Sequence, residues 1–199
     1  MTAVASLQTS RLPLRVVLSL LLLATLSIPA GPAERHRAQE DQVRSAFLFM
    51  LAQFVTWPDD DQGSAAAPLR FCVLADEAMA VSLQPTVRAK TIRGRTIQVI
   101  PVDAADGLSS CHLAFVGYKR HKELRAFFAQ WDYPGVLLVG EAERFAELGG
   151  MVNLAIGSGK VTFQINLANV QRAHLEIRSQ LLRFATLVGE PPAGKEPLR

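Results

Sequence analysis

The sequence is short of reactive parts. Its two cysteines, Cys72 and Cys111, and its four histidines, His36, His112, His121 and His174, lack the spacing that brings ligands onto one ion. No G-x-G-x-x-G follows the first candidate strand, and neither a P-loop nor a G-x-S-x-G elbow is present. Dinucleotide-binding, phosphate-cradling and α/β-hydrolase chemistry therefore have no motif to rest on. A receiver-type phosphoacceptor needs an acid and a lysine at the ends of later strands, where Gly117 and Gly140 stand instead. Lysine and arginine nowhere interleave with aromatic residues in a block, which removes the electrostatic footprint of nucleic-acid binding. Asp59, Asp60 and Asp61 read as a solvated charge run, because consecutive residues seldom converge on one ion without a supporting loop pattern. These absences predict a protein that is not an enzyme and that carries no metal and no cofactor.

Long apolar runs are missing too, except near the start. Arg11 and Arg15 precede the run from Val16 to Leu26, and the small, turn-forming SIPAGPA follows, the layout of a secretory signal peptide over residues 1–30. The run falls well short of the ~20 residues that a membrane-spanning helix needs. Cleavage is expected between Ala30 and Ala33, although Ile28 is a mediocre residue three places before a cut at Ala30, which leaves an uncleaved anchor open. Without Arg11 and Arg15 the 21 basic residues become 19 against 18 acidic, so the net charge of +3 falls to +1. The expected product is an exported domain. An oxidising compartment favours one disulfide between Cys72 and Cys111, with a pair of buried thiols as the alternative.

What is present is a rhythm. EDQVRSAFLFMLAQFVTWP places Val43, Ala46, Phe47, Met50, Leu51, Phe54 and Val55 at helical spacing, and Pro58 marks an end. Short apolar runs then alternate with helical stretches: LRFCVLAD, a helix near Ala78 to Gln84, TIQVIPV, CHLAFVG, YKRHKELRAFFAQW, GVLLVG and EAERFAELGG. This predicts an α/β fold with a mostly parallel sheet flanked by helices on both faces. With the third strand beside the first, as in doubly wound sheets, Cys72 and Cys111 approach to ~5 Å between α-carbons, within reach of a disulfide. Asp76 and Glu77 end the first strand, where such folds put functional groups and where a wet loop also collects acids.

The stretch GGMVNLAIGSGKVTFQINL predicts an antiparallel edge hairpin over 151–167. A two-residue loop at Ser158-Gly159 pairs Gly157 with Lys160, Ile156 with Val161, Ala155 with Thr162, Leu154 with Phe163, Asn153 with Gln164, and Val152 with Ile165. All the large apolar residues then share one face, and Asn153, Gln164, Ala155, Thr162 and Asn166 share the other. That amide-rich face is either solvated or a recognition surface. After it, NLANVQRAHLEI and RSQLLRFATLVG read as helical, with Ser179 capping the second, and the tail 189–199 as disordered.

The helix VRSAFLFMLAQFVTWP, the strand LRFCVLAD, IRGRTIQV followed by CHLAFVG, and above all GGMVNLAIGSGKVTFQINLANVQRAHLEIRSQLLRFA together resemble the YfiR family of periplasmic repressors of a membrane-bound diguanylate cyclase. The resemblance spans an α/β domain at 39–188. It implies a protein of the periplasm that binds the periplasmic sensor domain of an inner-membrane diguanylate cyclase, that an OmpA-like outer-membrane lipoprotein can sequester, and that acts on cyclic-di-GMP output and biofilm formation. A homodimer is also open to it. Cys72 and Cys111 match one cysteine pair of the family, while a second pair near the hairpin is missing, which puts a family-wide redox switch in doubt. The competing reading is a periplasmic small-ligand sensor module. For ligand or partner binding the candidates are Asn153, Gln164 and Asn166, which offer amides, and Arg172 and Arg183, which offer charge to a carboxylate or phosphate.

Overall fold

A computed structural model describes residues 31–58, 67–157 and 160–189. The leader, the Asp59–Asp61 run, the Ser158-Gly159 loop and the tail from 190 lie outside the described residues. Backbone contacts divide the chain into Met1–His36 and Arg37–Arg199. Of the first unit, the described residues form the opening turns of a helix; the second unit carries the fold.

Helix α1 (Pro32–Gln53) leads into β1 (Val55–Thr56), and β2 (Leu69–Leu74) into α2 (Glu77–Val87). A tight hairpin joins β3 (Thr91–Ile92) to β4 (Arg95–Val102), and a 3-10 turn (Ala105–Ser110) precedes β5 (Leu113–Val116). Next come α3 (His121–Ala129), β6 (Leu137–Gly140), α4 (Phe145–Leu148), β7 (Val152–Gly157), β8 (Lys160–Asn166) and α5 (Leu167–Arg172). The chain closes with β9 (Glu176–Ile177), α6 (Ser179–Leu182) and β10 (Thr186–Val188).

The main sheet has eight strands in the order β10-β8-β7-β6-β5-β2-β4-β3. Strands β4, β2, β5, β6 and β7 run parallel, β7 and β8 pair antiparallel in the expected register from Val152↔Ile165 to Gly157↔Lys160, and β3 pairs antiparallel with β4. The central strands are apolar on both faces because helices cover both: every residue of β5 and β6 is buried. The third long parallel strand does lie beside the first, and Cys72 and Cys111 are joined in a disulfide with their α-carbons 6.0 Å apart.

Helix α1 buries a stripe turned from the expected one. Leu48, Leu51, Ala52, Phe47 and the polar Ser45 are buried, while Val43 and Ala46 face outward. Ser45 Oγ donates to Ser82 Oγ at 3.0 Å, so two small residues let α1 and α2 cross closely. The helix also ends before Pro58. Phe54 N donates to Leu51 O, and Val55–Thr56 leave to pair with β9 in a separate two-stranded ribbon.

The described residues from 172 to 189 depart most from the helical reading. Helix α5 stops at Arg172, and His174, with φ 58°, turns the chain left-handed into β9. Helix α6 is one turn that starts at Ser179 itself, with Arg178 in the cap position and no side-chain cap. Thr186, Leu187 and Val188 then add to β8 as a parallel strand. At β9 and β10 pairing with a distant strand overrides a local apolar period, as tertiary contacts do for short segments.

Candidate functional site

Doubly wound sheets open a crevice at the carboxyl ends of the strands where their order reverses, here between β2 and β5. That crevice is closed. A Cβ on Gly117 would fall 2.6 Å from Ala75 O, so the loops after β2 and β5 touch. Asp76 turns its carboxylate back to accept from Met79 N at 3.0 Å, capping α2. Its acid is spent on the helix terminus. Beside it, Glu141 accepts from Arg44 Nε at 2.5 Å and from Lys119 Nζ at 3.0 Å, which ties α1 to the loop after β6. Burial works against the Arg44 charge, but its hydrogen bonds and ion pairs with Glu141 and Asp41 outweigh it and hold the pKa above the ordinary arginine value.

The amide face of the hairpin stays open at its base. Cross-strand registers line up Gly140, Asn153, Gln164 and Thr186 on one face of β6, β7, β8 and β10. Phe145 lies flat on Gly140, where a Cβ would meet its ring at 2.5 Å, so α4 walls one side of a hollow of about 520 Å³. Glu141, Glu143, Arg144 and Glu147 form the charged rim, and Asn153, Thr162, Gln164 and Thr186 the floor. Arg144 Nε donates to Glu147 Oε2 at 2.6 Å. Asn153 is 9% exposed and its Nδ2 donates to Gln164 Oε1 at 3.3 Å. Its Oδ1 is buried with no hydrogen-bond partner among the described residues, a costly arrangement of ~1–3 kcal/mol unless a water or a partner group supplies a donor.

The other candidates separate from this pair. Asn166 is buried, accepts from Asn169 N at 3.1 Å as the cap of α5 and donates to Ala146 O at 2.9 Å, so both its groups hold the fold. Arg172 donates to Asn169 Oδ1 at 2.7 Å and borders a second hollow of about 440 Å³, walled by Phe128, Trp131 and Tyr133. Arg183 is exposed at the end of α6.

One feature escaped the sequence reading. At the amino ends of β2, β4 and β5 a hollow of about 620 Å³ collects Arg70, Arg95, Gln98, His112 and His174, with Ser109, Ser110 and Cys111 on its wall. Arg95 is buried, donates through Nε to Ala67 O at 2.9 Å, and brings Nη2 to 2.9 Å from His112 Nε2. His112 Nδ1 accepts from Arg70 N at 3.0 Å. The available signal was Arg70 inside the apolar run LRFCVL: a lone charge in a buried strand marks a wet end. Among the described residues no group of three His, Cys, Asp or Glu could hold a metal, and no helix is long and apolar enough to cross a membrane.

Comparison with known proteins supplies the family. A family model described as YfiR/HmsC-like matches residues 41–186. Among solved structures the chain is similar to the ABC domain in complex with L-Trp from Streptococcus pneumonia, at 11% identity and a TM-score of 0.43 over 60% of this chain and 56% of that one. It is also similar to a conserved domain protein from Vibrio cholerae O1 biovar eltor, at 14% identity and a TM-score of 0.44 over 59% of this chain and 54% of that one. The chain thus spans little more than half the length of either, and at those scores neither likeness carries an argument.

Proposed function

Because the chain belongs to the YfiR/HmsC-like family, periplasmic regulators of cyclic-di-GMP signalling, we propose that it binds the periplasmic sensor domain of a membrane-bound diguanylate cyclase and represses it. The observation that carries this reading is the match across residues 41–186, nearly the whole folded unit. The geometry supports a recognition protein in a specific place: the hairpin face with the Asn153–Gln164 pair, where a partner donor would satisfy Asn153 Oδ1. On the rim, Glu143 and the Arg144–Glu147 pair then read the partner's charge. An OmpA-like lipoprotein that sequesters the protein would relieve repression by competing for it.

The test is genetic. Deleting the gene should raise cyclic-di-GMP in the parent bacterium, and the rise should vanish when the partner cyclase is deleted as well. Unchanged nucleotide across several growth conditions would refute repression.

A second reading, a small-ligand sensor, rests on the hollow at the amino ends of the strands, which Arg70, Gln98, Ser109 and Ser110 line. It predicts that Arg70→Ala alters signalling while leaving partner binding intact; a variant that signals as the parent does would remove it.

A further inference from the structure

Three half-buried aromatic side chains gather where α3 ends. The helix buries Leu124 and Phe127, and its apolar stripe then runs on past the last turn, leaving Phe128, Trp131 and Tyr133 partly in the open. All three wall the hollow of about 440 Å³ that Arg172 borders. Trp131 and Tyr133 meet at 85° with their ring centroids 5.1 Å apart, and Phe127 backs Trp131 at 5.3 Å. Ring contacts thus hold this corner in shape before anything enters it.

Charges of both signs stand at the same hollow. Asp132, exposed and placed between the two rings in sequence, makes no ion pair among the described residues. Arg172 is braced without being neutralised. Asn169 Nδ2 donates to Gly150 O at 2.8 Å, and Asn169 Oδ1 accepts from Arg172 Nη1 at 2.7 Å, so the guanidinium is oriented while Nε and Nη2 stay ready for an anion. The acceptors around the rings are already engaged. Phe128 O accepts from Trp131 N, Met151 O from Asn166 N, and Ala173 O from Gly135 N. A primary ammonium, with three N–H groups to satisfy, is poorly served by such walls. A quaternary ammonium has no N–H group, and aromatic faces attract it directly.

We propose that this hollow binds a small zwitterion whose cation is a quaternary ammonium, of the type of glycine betaine or phosphocholine. The trimethylammonium group rests against Phe128, Trp131 and Tyr133 with Asp132 adding attraction, and the carboxylate or phosphate end reaches Arg172. The volume falls within the ~300–1,000 Å³ usual for small-molecule sites. Neither Asn153, Gln164 nor Arg70 takes part, so the site stands apart from both readings of function above.

The full mature chain carries its own reporter. Of its two tryptophans Trp57 is 2% exposed and Trp131 is half-buried, so a ligand-dependent change in fluorescence reads Trp131. Glycine betaine and phosphocholine should each give a saturable change, and glycine, which keeps the carboxylate on a primary ammonium, should give none. Arg172→Gln should weaken glycine betaine at least about tenfold and leave tetramethylammonium, which has no anionic end, unaffected. Tyr133→Leu, checked for folding by circular dichroism, should weaken both at least about fivefold. Phosphatidylcholine vesicles tell the source: flotation that free phosphocholine reverses assigns a lipid headgroup, its absence a free solute, and both keep the site. No saturation by ~50 mM of either zwitterion, glycine binding as well as glycine betaine, or an Arg172→Gln chain that loses tetramethylammonium equally would each overturn the proposal.

Discussion

Removing the Cys72–Cys111 bridge gives the most quantitative test of the fold. The cysteines are separated by 39 positions, and closing a loop of that length restrains the unfolded chain by about 4 kcal/mol on the chain-entropy model. Both side chains are buried, Cys72 fully and Cys111 at 5% exposure, so serine would add the cost of burying a hydroxyl. The cleaner perturbation is the double change Cys72→Ala with Cys111→Ala, which leaves two small apolar side chains in place. A stability loss of about 4 kcal/mol corresponds to a drop in Tm of roughly 8–16 °C in a domain of this size. Urea denaturation of parent and variant, each with and without reductant, reads it directly. Reductant should destabilise the parent by nearly the same amount and leave the variant alone. Two free thiols in the denatured, unreduced parent, or a variant within about 1 kcal/mol of it, would refute the reasoning, since the entropy term follows from loop length alone. Partner binding should survive in the variant, because β5 and β6 separate β2, which carries Cys72, from β7, which carries Asn153.

Two neighbouring amides should behave in opposite ways. Asn166→Ala removes the cap of α5 and the bond to Ala146 O and should cost about 1–2 kcal/mol with little effect on partner binding, whereas Gln164→Arg takes away only the acceptor of Asn153 Nδ2, at a cost of about 1 kcal/mol, and should weaken binding to the cyclase sensor domain at least about tenfold. Calorimetric titration alongside thermal melts checks both, and a binding loss confined to Asn166→Ala would reverse the assignment. Gly140→Ala drives a Cβ to 2.5 Å from the Phe145 ring and should cost about 1–3 kcal/mol, partly recovered by adding Phe145→Leu. Urea midpoints of the single and double variants measure it, and additive losses would show that the two positions do not share that space.

Much of the fold was legible because its signals are local. In β5 and β6 every position is buried, and an unbroken apolar run such as LAFV or LLVG carries that directly. The hairpin was legible down to its register, since a shift of one residue would have set Phe163 and Ile165 among the amides. Legibility failed where the partner is remote in sequence. Val55–Thr56 is helix by its own period and strand only because Glu176–Ile177 comes back to it. Thr186–Val188 follows a helical turn and becomes strand only because β8 offers an open side. Neither signal exists within a window of the sequence.

The site divides along the same line. Asn153 and Gln164 fall out of strand alternation, because residues opposite one another in a known register must share a face. Whether an amide is free to bind is a different question, and alternation is blind to it. Asn166 has the same side chain on the same face, yet its carbonyl caps α5 and its amide holds Ala146 O, leaving nothing for a partner. Asp76 fails in the same way, its carboxylate consumed by Met79 N. The basic hollow inverts the case: Arg70 and Gln98 come together only when β2 and β4 pair, and Ser110 and His174 only when the 3-10 turn and the left-handed turn after α5 reach the same end of the sheet. What separates a binding group from a structural one in this chain is therefore the hydrogen bond it has already made. By that criterion Asn153, buried with its oxygen unanswered among the described residues, is the residue where a partner has most to offer.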